Sequence, residues 1–302
     1  MADQRKRLNT NVTGAFFVDS TCINCDTCRQ LAPVTFEETG EYSAVTRQPV
    51  TEAERLQAYQ ALVACPVGSI GSTEKDPASL QAATASFPLH LEDGVYYCGF
   101  NSEKSFGANS YFVMHAGGNW LIDSPRYTGR LVQAFERQGG VKYILLSHED
   151  DVADADRYAK RFEAVRIIHR ADAHAVPDAE RIIDGVDPIE ISPEFVMIPV
   201  PGHTLGSVAL LYRQRFLFTG DHLWWDRDAR GLDVPTNLVR SRTHLRASTE
   251  KLLAYRFSWI LPGHGDRVRL SEPEMRAALE RLVARWRSRE DIRHAGTGPA
   301  AG

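Results

Sequence analysis

Cysteine is concentrated near one end of the chain, as Cys22-Ile-Asn-Cys25-Asp-Thr-Cys28 and then Cys65 followed by Pro66. Two residues between each of the first three cysteines let three thiolates wrap three corners of a cubane from one tight loop, and a distant fourth closes the cage. Two-cluster proteins place another Cys-Pro after a three-residue gap from the third cysteine; here that slot reads Ala32-Pro33. The pattern predicts one [4Fe-4S] cluster on Cys22, Cys25, Cys28 and Cys65, the four cysteines arguing against a three-iron form. A four-cysteine zinc site is the alternative, although zinc favours two separated Cys-x-x-Cys knuckles. With five cysteines in all and no export signal read at the N-terminus, disulfides are not expected. The fifth, Cys98, reads as a small buried hydrophobe.

Four further motifs put a histidine or carboxylate just after an apolar run: Leu146-Ser147-His148-Glu149-Asp150, Pro201-Gly202-His203-Thr204-Leu205-Gly206-Ser207, Phe218-Thr219-Gly220-Asp221 and Leu261-Pro262-Gly263-His264-Gly265. Each run reads as a strand, so each motif sits at a strand's carboxyl end, where a sheet edge gathers side chains into one pocket. Imidazoles with a carboxylate suit zinc or iron, and the glycines let backbone crowd close to an ion. A lone histidine is more often a satisfied core residue than a ligand; four such motifs in strand order point the other way. His148, Asp150, His203 and Asp221 form a two-histidine, carboxylate set able to hold one ion. His169, His174 and His222 lie near the motifs and read as packing residues. Trp224 and Trp225 either wall the pocket or fill the core.

Residues 14–70 resemble single-cluster bacterial ferredoxins in Val18-Asp19 before the loop, Arg29, Ala32-Pro33-x-x-Phe36 and the closing Ala64-Cys65-Pro66. That resemblance implies one-electron transfer, with a purely structural cluster as the other reading. Residues 88–290 resemble the metallo-β-lactamase superfamily, near its glyoxalase II and hydrolase branches. This implies an αββα sandwich with a mono- or dinuclear metal centre between the sheets. By position, His148 is the first ligand, His203 the ligand after the central strand, Asp221 the bridging carboxylate and His264 the last ligand. Asp123 resembles the family's aspartate that braces the site from behind.

The family's first motif reads His-x-His-x-Asp-His, and this chain departs from it. Without a gap, Asp150 replaces the second histidine, Val152 the aspartate and Ala153 the last histidine. A two-residue slip aligns Asp154 with the aspartate but leaves Ala155 at the final histidine. Either way a ligand of the second metal position is lost. One zinc or iron ion is therefore expected, with a second weak or absent. A carboxylate at 150 also resembles the first motif of flavodiiron oxidoreductases.

The surrounding elements follow from pattern. A strand over 14–19, a second over 42–46 and a helix opened by Thr51 and Glu54 hold the cysteine segment. Polar residues 71–79 read as the boundary, which predicts a ferredoxin-like domain over 1–75 and the larger domain over 86–302. There, strands are expected at 110–115, 120–123, 141–147, 165–169, 195–200, 208–212, 216–219 and 259–261, the pair across Arg213-Gln214 joined by a two-residue turn. Helices are expected at 127–138 and 272–289, followed by a disordered tail from His294. The fold class is α/β (α+β), a ferredoxin-like domain followed by a four-layer αββα sandwich.

A net charge of −4 and a pI near 6.2 argue against nucleic acid or an anionic membrane as partner. No stretch is long and apolar enough to span a bilayer, so the expected address is the cytoplasm. The leading expectation is a hydrolase of a small ester, thioester or amide, with Asp150 or Asp154 orienting water and Asp221 sharing the metal. Its partners would be a small-molecule substrate and a redox partner protein. Two rivals stay open: an iron-dependent oxidoreductase fed by the cluster, and a metal-poor binding or sensing protein.

Overall fold

The computed structural model describes residues 2–295, with side chains to residue 286. Two compact units divide the chain: Met1–Ile168 with Ala173–Ile183, and His169–Asp172 with Asp184–Gly302.

The first unit opens with the cysteine segment. Strand β1 (Phe16–Val18) leads into the cysteine loop and the short helix α1 (Thr27–Leu31). A hairpin of β2 (Phe36–Thr39) and β3 (Tyr42–Val45) follows, turning through Gly40 in the left-handed region. Helix α2 (Glu52–Ala64) starts at the expected capping box, and Cys65 is its C-terminal cap. Strand β4 (Ile70–Ser72) then returns antiparallel to β1, tying the segment's ends together. The polar stretch read as the boundary launches helix α3 (Pro77–Ser86). Asp76 caps it by accepting from the Ser79 N–H, with proline in the first turn where its missing donor costs nothing.

Strands β5 (Leu89–Glu92), β6 (Val95–Tyr97), β7 (Tyr111–Val113) and β8 (Trp120–Ile122) run as an antiparallel meander. Helix α4 (Gly129–Arg137) crosses over to β9 (Tyr143–Leu145), parallel to β8. Helix α5 (Ala155–Phe162) crosses to β10 (Val165–His169), parallel to β9. With β11 (Arg181–Ile183) the sheet order is β11-β10-β9-β8-β7-β6-β5. Because β8 and β9 are parallel, Asp123 and His148, which follow them, emerge at one edge.

The second unit holds a six-stranded sheet, ordered β12-β13-β14-β15-β18-β19. Its members are β12 (Ile189–Ser192), β13 (Phe195–Pro199), β14 (Val208–Tyr212) and β15 (Phe216–Gly220). The two-stranded β16 (Trp224–Asp226) and β17 (Gly231–Asp233), then helix α6 (Arg242–Lys251), lead to β18 (Trp259–Pro262) and β19 (Val268–Arg269). Helix α7 (Glu272–Ala295) closes the chain. Strands β13, β14 and β15 pair antiparallel in succession, while β15 and β18 are parallel. Strands β13, β15 and β18 therefore point the same way. The alternation of side chains splits the sheet into two buried faces. One carries Ile198, Leu211, Leu217 and Ile260, packed with Leu245 of α6 and Met275, Leu279 and Leu282 of α7. The other carries a ladder of stacked rings, Phe195 on Tyr212, Tyr212 on Phe216 and Phe216 on Trp259, with centroids 4.5, 6.0 and 6.2 Å apart.

The strands are two to five residues long, shorter than the apolar runs suggested, because several runs spill into the ligand-bearing loops. His294 and Ala295 belong to α7, and the rest of the expected tail lies outside the described residues. The Thr51 hydroxyl accepts the Glu54 N–H while the Glu54 carboxylate accepts the Thr51 N–H. Thr51→Ala should cost about 1 kcal/mol, read as a lower urea midpoint of the anaerobic protein at unchanged slope.

Candidate cluster and metal sites

Positive φ angles at Asn24 and Asp26 fold the cysteine loop back on itself. Arg29 fixes the result by donating to Asp26 at 2.6 Å and to Ser43 at 2.7 Å. Cys22, Cys25, Cys28 and Cys65 then line one cavity, closed by Val18, Ile23, Val67 and Ile70. No disulfide joins them. Burial pushes the Cys25 thiol up to about 11, with the Thr27 hydroxyl pulling the other way, and burial drives Cys28 higher still. Four convergent sulfurs in an apolar cage, with Cys25 and Cys28 resisting loss of their protons, suit coordination to a cationic centre, which deprotonates a thiol outright. The donor set therefore fits a cubane cluster.

In the first unit, the Asp123 carboxylate accepts the Ser147 N–H at 2.7 Å, and the Ser147 hydroxyl lies 2.9 Å from His148 Nδ1. A brace of this kind orients a metal-ligating imidazole. His148 Nε2 lies 3.7 Å from the exposed Asp150 carboxylate.

In the second unit, His203, Asp221 and His264 follow the three co-directional strands, and their donors converge. Asp221 Oδ2 is 3.7 Å from His203 Nε2 and 3.9 Å from His264 Nε2. Both separations exceed a hydrogen bond. They approach the edge of a tetrahedral site, roughly 3.4 Å for donors about 2.1 Å from an ion. The His203 loop is pinned from behind by Asp172, which accepts the Thr204 hydroxyl at 2.5 Å and the Gly206 N–H at 2.9 Å. Only glycine fits there, since a Cβ on Gly206 would stand 2.4 Å from the Asp172 carboxyl carbon.

Asp154 is engaged elsewhere: its oxygens accept the Lys104 ammonium at 2.7 Å and the Tyr127 N–H at 2.8 Å. Burial raises its pKa, but those two donors more than offset the rise and hold it below the usual carboxylate range. His174 pairs with Glu149 at 2.9 Å, and His169 lies 2.9 Å from the Gly185 carbonyl. His222 is fully buried against the Thr249 hydroxyl, and burial lowers its pKa to about 3, which keeps the ring neutral. Trp224 packs on Gly265, where a Cβ would come within 2.6 Å of its ring, and so walls the His264 loop. Asp172 and Ser147 were missed as supports. Ser147 could have been suspected from its place before His148, whereas nothing in the sequence marks Asp172.

Residues 105–264, more than half of the chain, match the model of the metallo-beta-lactamase superfamily. The chain belongs to that superfamily. Residues 18–72 match a second model, described as the 4Fe-4S single cluster domain of ferredoxin I. This metallo-beta-lactamase superfamily member is 32% identical over 119 residues to a hydroxyacylglutathione hydrolase of Acidiphilium cryptum strain JF-5. The match covers 38% of this chain and 49% of that protein, so the chain spans about half the length of the curated relative. Similar solved structures include a metallo-beta-lactamase family protein from Thermus thermophilus, at 18% identity and a TM-score of 0.49, over 70% of this chain and 86% of that one. Another is the mono-zinc form of the FIM-1 metallo-beta-lactamase from Pseudomonas aeruginosa, at 16% identity and 0.48, over 65% and 93%. Among the described residues, no helix is long and apolar enough to cross a membrane.

Loss of an orienting partner typically weakens a metal site about 10- to 100-fold. Ser147→Ala should therefore lower the affinity of the candidate site for an added divalent metal by that factor in chelator-competition titrations while leaving cluster absorbance unchanged.

Proposed function

We propose that this chain is a metal-dependent hydrolase acting on a thioester or related small acyl substrate, with a [4Fe-4S] cluster on Cys22, Cys25, Cys28 and Cys65. The observation that carries the reading is the convergence of His203 and His264 on the Asp221 carboxylate. Metal-binding chemistry belongs to the superfamily, and the thioester class follows the partial likeness to a hydroxyacylglutathione hydrolase.

In this proposal His148, Asp150, His203 and Asp221 would hold one ion. When bound, zinc or iron lowers the pKa of water at the site toward about 7 and polarises an acyl oxygen. The chain's own residues do the rest. The Ser147 hydroxyl and the Asp172-pinned loop keep the two imidazoles aimed. Asp150, whose side chain is 61% exposed, accepts a proton from the attacking water and passes it to solvent. Asp154 holds the Lys104 and Tyr127 segments in place. A second ion would have His264 and Asp221 but no histidine at Ala153 or Ala155, and an incomplete chelate binds weakly.

The cluster module favours a second reading, an iron-dependent oxidoreductase with the same ligands. Elemental analysis of anaerobically purified protein separates the two. The hydrolase reading expects cluster iron plus about one zinc per chain, with hydrolysis of an acyl-glutathione thioester. Iron in the non-cluster site without thioester hydrolysis would support the oxidoreductase. No metal beyond the cluster would overturn both and leave a binding protein. His203→Ala should lose the non-cluster ion and at least about 100-fold in activity, as expected when a catalytic metal is lost, while the brown cluster absorbance survives.

A further inference from the structure

The cluster loop does not end at its own segment. Residues 99–109, beyond the 18–72 stretch that matches the ferredoxin model, reach it through buried groups. Asn101 is fully buried, and its amide nitrogen donates to the Gly107 carbonyl at 2.6 Å and to the Thr27 hydroxyl oxygen at 3.1 Å. A carbonyl can only accept, so the nitrogen's place is fixed by Gly107. The other end of the amide agrees, because Asn101 Oδ1 accepts the Tyr97 hydroxyl at 2.7 Å. The Asn101 backbone N–H also donates to the Ala64 carbonyl, one residue before Cys65. Asn101 falls outside both matched stretches.

Thr27 is 1% exposed; with the cysteine protonated, the Cys25 thiol donates to its oxygen at 3.4 Å, and its own hydroxyl donates to the Gly107 carbonyl at 3.3 Å. Gly107 already receives the shorter bond from Asn101. Asn101 also fills one lone pair of the Thr27 oxygen, so the hydroxyl proton is left to choose between that carbonyl and the sulfur; as a cluster ligand Cys25 is a thiolate, with no proton to give and the stronger acceptor of the two. Gly107 itself presses on the ligand: it has φ +84°, and a Cβ there would stand 2.8 Å from Cys25 Cβ and 2.9 Å from Sγ.

We propose that Thr27, aimed by Asn101, donates a hydrogen bond to the Cys25 sulfur and raises the reduction potential of the cluster. The inference rests on the cluster reading above. Donors to ligand sulfurs withdraw electron density and favour the reduced, more negative cluster. Asn101 is a positioning residue in this arrangement, acting through Thr27.

The test is an anaerobic redox titration of the whole chain, followed by visible absorbance and by electron paramagnetic resonance. Thr27→Val keeps the shape and deletes the donor, so its midpoint should move negative, while Thr27→Ser keeps the hydroxyl and should titrate close to wild type. Asn101→Ala should move in the same direction as Thr27→Val by a smaller amount. A Thr27→Val protein that stays brown and titrates with wild type overturns the inference and leaves the cluster reading intact. Should Thr27→Val fail to retain its cluster, Asn101→Ala decides, an unchanged midpoint counting against the proposal. Colourless wild-type protein holding one zinc on the cysteines overturns the cluster reading and this inference with it.

Discussion

A metal ligand must be aimed to within a few tenths of an ångström, yet the candidate ligands here stand on loops. The chain meets this demand by starting each loop where a strand stops. In the second unit, β13, β15 and β18 run in one direction, so His203, Asp221 and His264 leave the sheet at the same edge. Reversing any one strand would carry its ligand to the far end. Both faces of that sheet are buried, and a densely packed sheet cannot slide. The remaining freedom lies in the loops, and buried polar groups remove it. Asp172 holds the His203 loop, Ser147 holds the His148 ring, and Trp224 sits against Gly265.

Local signals in the sequence proved the most legible. Thr51 with Glu54 marks a helix start because capping involves residues only three apart. Arg213-Gln214 marks a two-residue turn although neither is glycine; both take left-handed φ, +53° and +50°, because the strands on either side leave no other way round. The strand ends behind the candidate ligand motifs were legible for the same reason, each apolar run being local to its motif. What stayed hidden depends on partners far apart in the chain. Lys104 meets Asp154 across 50 residues, and Thr204 meets Asp172 across 32. No spacing rule reports such pairs. Helix α3 was missed for a different reason: its polar, alanine-rich composition gives no apolar stripe, and its start depends on Asp76 and Pro77.

Asp154 shows how environment redefines a residue type. As a sequence position it is one more carboxylate near a ligand motif. In the fold it bonds an ammonium and a backbone N–H, and so ties residues 104 and 127 to the turn that follows His148. Asp150, four residues earlier, is largely exposed, with His148 Nε2 at 3.7 Å from its carboxylate. Two carboxylates on one short loop are thus separated in role by what surrounds them.

The contact between Thr27 and Gly107 spans 80 residues, and this has a bearing on biosynthesis. Chains leave the ribosome at about 5–20 residues per second, so the cysteine loop emerges roughly 4–16 seconds before the glycine that packs against Cys25. During that interval the thiols of the loop stand exposed while one wall of their cage is missing. The wall that Gly107 adds beside Cys25 is thus the last part of that cage to be synthesised.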